Sequence, residues 1–391
     1  MTPLRLIVGY MRGGTTLTAD IVRHTEEDFY MFEPLHGVSQ AIRRNSSTQF
    51  LNGTERWLYL TNFHRYAKDM TPLRLIVGYM RGGSTLTADI VRHTEGDFYM
   101  FEPLHGVSQA MRRNSSTQFL NGTVRKIFRE EQQSVYPELL YHWFTCNFDH
   151  IDIASLTNHF ILFHTPELKD YYYCLRTKRS TKTKNKLRIV KMCSVLLRIK
   201  CRTAATRTIK TIRLSIYMAG KLLKWLPNLK IIYLLRDPRG IINSQFERKI
   251  NEGKNVSFLA KELCNTISYD LNNFDNLEHC HKSRMMKLIY ENLCQYPHRI
   301  VAKIYAFLNI DYTWERKLYV QRIMKGPVRR CSYCTDRGNA LRSAYRWISV
   351  INENTLNITK LLCSFLYTKL GYQHLEYHVL NLTSVSWKPL T

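Results

Sequence analysis

Arg81 opens the run RGGST (81–85), separated only by Gly-Tyr-Met from a short apolar stretch, LRLIV (73–77). Arg236 opens RDPRG (236–240), directly after KIIYLL (230–235), with Ser244 further downstream. A planar guanidinium donates two parallel hydrogen bonds to a phosphate or sulfate. Glycines let the backbone approach an anion closely. Unpaired N–H groups at a helix start point toward that anion, along the favourable end of the helix dipole. Arg81, Gly82, Gly83, Ser84 and Thr85 therefore form one candidate anion-binding turn, with two hydroxyls as further donors. Arg236 and Ser244 are candidates for gripping a second anion. The first turn has neither the G-x-x-x-x-G-K-[ST] nor the G-x-G-x-x-G spacing. A glycine turn with a surface arginine is the plain alternative, and an Arg236–Asp237 ion pair is the plain alternative for the second.

The elements around these residues follow from pattern. LRLIV reads as a buried parallel strand. A helix opens at Ser84, with apolar Leu86, Ile90 and Val91 and a basic end at Arg92 and His93. FYMF (98–101) reads as a second strand. Strand, glycine turn, helix, strand is a nucleotide-binding half-unit. KIIYLL reads as a central strand, RDPRG as a turn in which proline ends the strand, and IINSQFERK as a helix with Ser244 in its early turns. Arg236 then stands at a strand's carboxyl end, where open α/β sheets bind ligands. Glu102 follows FYMF and stands at a carboxyl end beside the first turn. It is a candidate general base or, alternatively, a structural carboxylate bonded to backbone or to an arginine. His105 is the second candidate base.

Residues 1–54 recur at 70–123 with three changes: Thr15/Ser84, Glu27/Gly96 and Ile42/Met111. Solenoid repeats drift apart and need three or more units. Two near-identical units point instead to a recent duplication or a surplus copy. The second copy is the working unit, because it runs on into the rest of the chain. It also has glycine in TEGDF, where a helix must turn into a strand. The expected organisation is a duplicated βαβ-like segment over 1–69 and a catalytic domain over 70–380.

The formal net charge of +26, from 57 Lys+Arg against 31 Asp+Glu, favours anionic partners. The basic stretch 176–213 reads as a steering surface for an anionic glycan or as a solvated loop. Nucleic acid would meet this charge only non-specifically. Of ten cysteines, only Cys331 and Cys334 form a CxxC, without a matching second pair. A disulfide or two free thiols is expected there, and no metal site. Seven Asn-x-Ser/Thr sequons lean toward a secretory compartment. MTPLRLIVGYMRGG does not read as a signal peptide, and no apolar run is long enough for a transmembrane helix. The chain is then either cytosolic or begins further upstream.

Taken together, these stretches resemble the Golgi carbohydrate sulfotransferases of the galactose/N-acetylglucosamine/N-acetylgalactosamine 6-O type. RGGST is similar to the family's first turn, and Phe101-Glu102-Pro103-Leu104 to its FEPL segment. LRDPRGIINSQ (235–245) is similar to its second motif, with KTIRLS (210–215), 289–310 and 345–372 also matching. The resemblance covers roughly residues 72–375. It implies a P-loop-like, three-layer α/β fold with a central parallel sheet, and 3′-phosphoadenosine-5′-phosphosulfate (PAPS) as co-substrate without a metal. It implies that Arg81, Gly82, Gly83, Ser84, Thr85 and Leu86 hold the 5′-phosphosulfate, and that Arg236 and Ser244 hold the 3′-phosphate. It implies catalytic roles for Arg81, Glu102 and His105, a glycan or glycoprotein acceptor, and the Golgi lumen. Gly82 stands where the family has Ser or Thr, Gln245 where it has Arg, and Ile348 where Arg follows the tryptophan. The competing readings are a non-catalytic anion- or glycan-binding relic and a nucleotide-kinase-like protein. The missing P-loop lysine speaks against the last.

Overall fold

The computed structural model describes residues 70–179, 185–247, 255–328 and 338–376, with Gly253 and Thr335. The first copy of the repeat, and Cys331 and Cys334, lie outside these residues. Five strands, β1 (Leu73–Val77), β2 (Asp97–Phe101), β5 (Thr206–Thr211), β6 (Leu229–Leu235) and β7 (Met285–Ile289), form one sheet in the order β2-β5-β1-β6-β7. Every pairing in it is parallel. A separate hairpin joins β3 (Ser116–Gln118) to β4 (Val124–Lys126).

Every residue of β1 is buried, as the apolar text requires of a central strand covered on both faces. Alternation sends Leu73, Leu75 and Val77 to one face and Ile76 to the other. Even Arg74 is inside, with Nη1 donating to Thr94 Oγ1 at 3.2 Å. Leu86, Ile90 and Val91 of α1 (Ser84–Arg92) cover the Ile76 face. So do parts of α9 (Tyr290–Gln295), α10 (Pro297–Leu308) and α11 (Trp314–Lys325). The opposite face packs on α3 (Gln132–Phe144), α6 (Ile216–Trp225), α8 (Val256–His281) and α13 (Glu353–Leu370). The result is the expected three-layer α/β arrangement. Gly96 has φ +71, the left-handed turn that glycine accepts between α1 and β2.

The proline of RDPRG is not within a turn. It is the first residue of α7 (Pro238–Glu247). A missing N–H costs nothing at a helix start, and the proline φ is already helical. The stretch 176–213 is not one surface loop either. It contains the end of α4 (Lys169–Arg179), all of α5 (Lys186–Arg202) and the interior strand β5. Arg207 is buried there, with Nη1 donating to Phe144 O at 2.9 Å.

Three disulfides tie the described residues: Cys146–Cys201, Cys174–Cys193 and Cys264–Cys363. The last joins α8 to α13 across 99 residues of sequence. Closing so long a loop removes much chain entropy from the unfolded state. The double variant Cys264→Ser/Cys363→Ser is therefore expected to lose about 2–5 kcal/mol of stability in denaturant titrations. No described helix is long and apolar enough to cross a membrane.

Candidate active site

Parallel strands end on one edge, so their carboxyl ends assemble a single cleft of ≈ 890 Å³. The turn after β1 supplies its floor. Arg81 and Gly83 both have left-handed backbones, with φ of 69 and 90. A Cβ on Gly83 would lie 2.2 Å from the Tyr290 ring, so only glycine fits. No side chain caps α1 and no acidic residue lies in its first turn. The N–H groups of Ser84, Thr85 and Leu86 therefore face the cleft without an intrahelical acceptor. Beneath the turn, the Tyr79 hydroxyl donates to Asp270 Oδ2 at 2.8 Å and meets the Tyr233 hydroxyl at 2.7 Å. Burial pushes the Asp270 carboxyl up to about 6.

The two sequence motifs meet directly. Arg81 Nε donates to Ser244 Oγ at 3.1 Å, and Arg236 Nη1 donates to the Arg81 carbonyl at 2.8 Å. Arg236 Nη2 holds the Ala344 carbonyl at 3.0 Å, at the end of α12 (Ala340–Tyr345). Gln245, the residue that departs from the family pattern, donates to the Met80 carbonyl at 3.0 Å. The second motif thus braces the first turn as well as lining the cleft. Asp237 pairs with Arg239 at 2.7 Å, so the Arg236–Asp237 ion pair, the plain alternative for this motif, is not what forms. Instead the Arg236 Nε lies 3.9 Å from Glu291 Oε1. Glu291 accepts from the Asp237 N–H at 3.1 Å and the Tyr372 hydroxyl at 2.9 Å, and burial pushes its carboxyl up to about 7.

Two buried donors in this half of the cleft, Arg236 Nε and the Trp347 indole N–H, have no hydrogen-bond acceptor. Buried donors are rarely left unpaired, because the desolvation cost is then uncompensated. An anion's oxygens would satisfy them.

Arg81, Gly83, Ser84, Thr85, Leu86, Glu102, His105, Arg236 and Ser244 all line the one cleft. Gly82 is the exception among the residues singled out. Its N–H is engaged by the Tyr79 carbonyl at 2.8 Å, so it closes the turn and is not offered to an anion.

Glu102, at the end of β2, is 2% exposed. Lys210 Nζ donates to its Oε1 at 2.6 Å, while Arg213 Nη1 and, at 3.3 Å, the Ile212 N–H donate to its Oε2. Arg213 also donates through Nη2 to His105 Nδ1 at 2.8 Å. An arginine can only donate, so Nδ1 accepts and the neutral imidazole carries its proton on Nε2. Burial, followed by the Arg213 charge, lowers the His105 pKa to about 4. Folding therefore favours neutral His105. This contribution is full above the unfolded value of about 6.5 and is lost as pH falls toward 4. The Tm drop between pH 7 and pH 4.5 is expected to be smaller in His105→Asn than in the unaltered protein.

Lys210 and Arg213 carry no site signal in the sequence. They stand in KTIRLS and within the basic stretch that reads as surface. Only the insertion of β5 between β1 and β2 turns them toward Glu102. Among the described residues, no group of His, Cys, Asp or Glu could hold a metal ion.

A model of the sulfotransferase family matches residues 72–315. The chain belongs to that family. Among solved structures, the sulfotransferase domain of the Synechococcus PCC 7002 olefin synthase is 17% identical. It covers 74% of this chain and 94% of its own, with a TM-score of 0.40. Mouse sulfotransferase SULT7A1, complexed with PAP, is 15% identical over 80% of this chain and 89% of its own, with a TM-score of 0.38. The Mycobacterium avium sulfotransferase STF9 is 15% identical over 87% and 91%, with a TM-score of 0.36. Comparison with curated proteins finds no match. For this sulfotransferase, the matched span includes the RGGST turn, Glu102, Lys210, Arg213 and the Arg236 motif, and ends before Trp347.

Proposed function

We propose that this sulfotransferase moves a sulfuryl group from PAPS to a sugar hydroxyl of a glycan or glycoprotein, at the 6-position of N-acetylglucosamine, galactose or N-acetylgalactosamine. The observation that carries the reading is the junction of two anion-binding motifs in one cleft, Arg81 on Ser244 and Arg236 on the Arg81 carbonyl. A cofactor charged at both the 5′ and 3′ positions needs two such grips. The Arg81 turn and the first N–H groups of α1 suit the 5′-phosphosulfate. Ser244, Arg236 Nε and the Trp347 N–H suit the 3′-phosphate. When bound, PAPS supplies the sulfuryl group and the leaving phosphate.

The protein's own contribution is positioning and charge. Arg81 and the turn's N–H groups stabilise negative charge near the 5′ side. Glu102 is the base that accepts the hydroxyl proton. A carboxylate has about four lone-pair sites, and three donors engage Glu102. His105 presents Nε2–H and so acts as a hydrogen-bond donor to the acceptor rather than as its base. The three disulfides and the exposed sequon residues Asn114, Asn121, Asn255 and Asn357 support residence in the oxidising Golgi lumen.

Purified protein incubated with sulfate-labelled PAPS and acceptors ending in each of the three sugars is expected to label at least one of them. Tight binding of adenosine 3′,5′-bisphosphate with no labelled product would overturn the enzyme reading.

A further inference from the structure

Helix α5 carries a second apolar face that the core does not use. Ile189, Val190, Cys193, Leu197 and Cys201 are buried and pack inward. Met192, Val195, Leu196 and Ile199 recur three and four residues apart, so they share the opposite face. They are 41% to 55% exposed. The helix cannot roll to hide them. Cys193 is bridged to Cys174 of α4, and Cys201 to Cys146 just behind α3. No residue of α5 lines the cleft, whose walls include α1 and α2 (His105–Arg112), so the stripe is not part of the candidate active site.

The charges around the stripe have one sign. With 3.6 residues per turn, Lys191 and Arg202 fall along one edge of it and Lys200 along the other, while Arg188 stands at its N-terminal end. All four are exposed. The helix has six basic residues and no acidic one. Of these, Arg198 is held by Asp149 at 2.7 Å. The neighbouring α4 adds Lys169, Arg176 and Lys178 against a single carboxylate, Asp170. Lysine and arginine stems on both sides of an apolar stripe can lie along it and reach outward to phosphates. That is the charge complement of a bilayer interface, where acyl chains take the stripe and headgroup phosphates take the cations. A second copy of the chain would instead bring the same cations against these. The stripe is also a convex ridge on one helix, which a fluid surface accommodates without a fitted groove.

We propose that α5 is an in-plane membrane-docking helix. Met192, Val195, Leu196 and Ile199 enter the headgroup–acyl boundary of a phospholipid bilayer, and Arg188, Lys191, Lys200 and Arg202 pair with the lipid phosphates. The proposal concerns a surface outside the cleft and does not depend on the sulfuryl-transfer reading.

The test floats the full chain with vesicles of phosphatidylcholine alone and of phosphatidylcholine mixed with phosphatidylglycerol. The unaltered protein is expected to float with both, and more tightly with the anionic mixture. Met192→Ser/Leu196→Ser/Ile199→Ser should weaken partitioning about 10-fold or more on either vesicle. Lys191→Glu/Arg202→Glu should weaken it by about 10-fold or more on the anionic mixture, a loss that added salt reproduces in the unaltered protein. Leu361→Ser, at an exposed leucine of α13, should change nothing. Ile199→Trp supplies a reading that needs no loss of binding. Relative to the unaltered protein, its emission should move to shorter wavelength with vesicles and be quenched by bromine on the upper acyl carbons. Failure of the unaltered chain to float, an equal loss in Leu361→Ser, or an emission of Ile199→Trp that vesicles leave unchanged each overturns the proposal. So does a lipid-free dimer in sedimentation velocity that the triple serine variant dissociates, because a second copy then covers the stripe.

Discussion

Glu102→Gln should lower turnover by about 10²–10⁴-fold, the range for loss of a positioned acid–base group. Affinity for adenosine 3′,5′-bisphosphate should stay within about threefold, because this carboxylate lies two strands, roughly 10 Å, from β1 and its turn. The glutamine keeps the shape of the side chain but cannot accept the hydroxyl proton. It also leaves Lys210 and Arg213 facing an amide. Lys210 is 4% exposed, so an unpaired ammonium there costs about 3–5 kcal/mol of stability. The comparison must therefore be made well below the variant's Tm, with both substrates saturating. Under those conditions a turnover close to that of the unaltered protein would reject Glu102 as the base and leave it a purely structural carboxylate.

Gly83→Ala should weaken binding of the same nucleotide by about 100-fold or more. Two independent effects combine. A left-handed backbone costs an L-residue roughly 1–2 kcal/mol, and Gly83 has φ 90. The new methyl group would also overlap the Tyr290 ring, which is buried and lies under the Arg236 guanidinium at 5.0 Å. Relieving that overlap moves either the turn or Tyr290, and overpacking of this kind costs about 1–3 kcal/mol. Isothermal titration reads the change. Adding Tyr290→Leu to Gly83→Ala should recover part of the affinity, since it removes the overlap and leaves the backbone strain. An affinity for Gly83→Ala equal to that of the unaltered protein would show that the turn does not hold the nucleotide.

Both expectations depend on features read at different levels. The extent of β1, the glycine turn, the start of α1 at Ser84 and the left-handed Gly96 all follow from local text. Strand propensity, helix starts and glycine conformations act within a few residues. The carboxyl-end placement of Arg236 and Glu102 follows as well, because each stands directly behind its strand.

Lys210 and Arg213 were illegible for the opposite reason. Their neighbours in sequence are basic and look solvated, and their partner Glu102 is more than a hundred residues away. The start of α7 at Pro238 differs from the expected turn because a proline can close a strand or open a helix equally well. Gly82 reads as an anion ligand from its place in the glycine turn and from the family resemblance. Its N–H turns inward to Tyr79, a matter of turn geometry that residue type does not specify.

The amino-acid sequence by itself determined the local chemistry: two arginines behind apolar strands, one of them in a glycine turn, and a carboxylate behind a third strand. Only the tertiary structure decided that β5 enters between β1 and β2, that Arg236 closes on the Arg81 carbonyl, and that Glu102 meets two cations. Those contacts join residues far apart along the chain. Their formation depends on the order of the strands in the sheet, which short-range preferences do not specify.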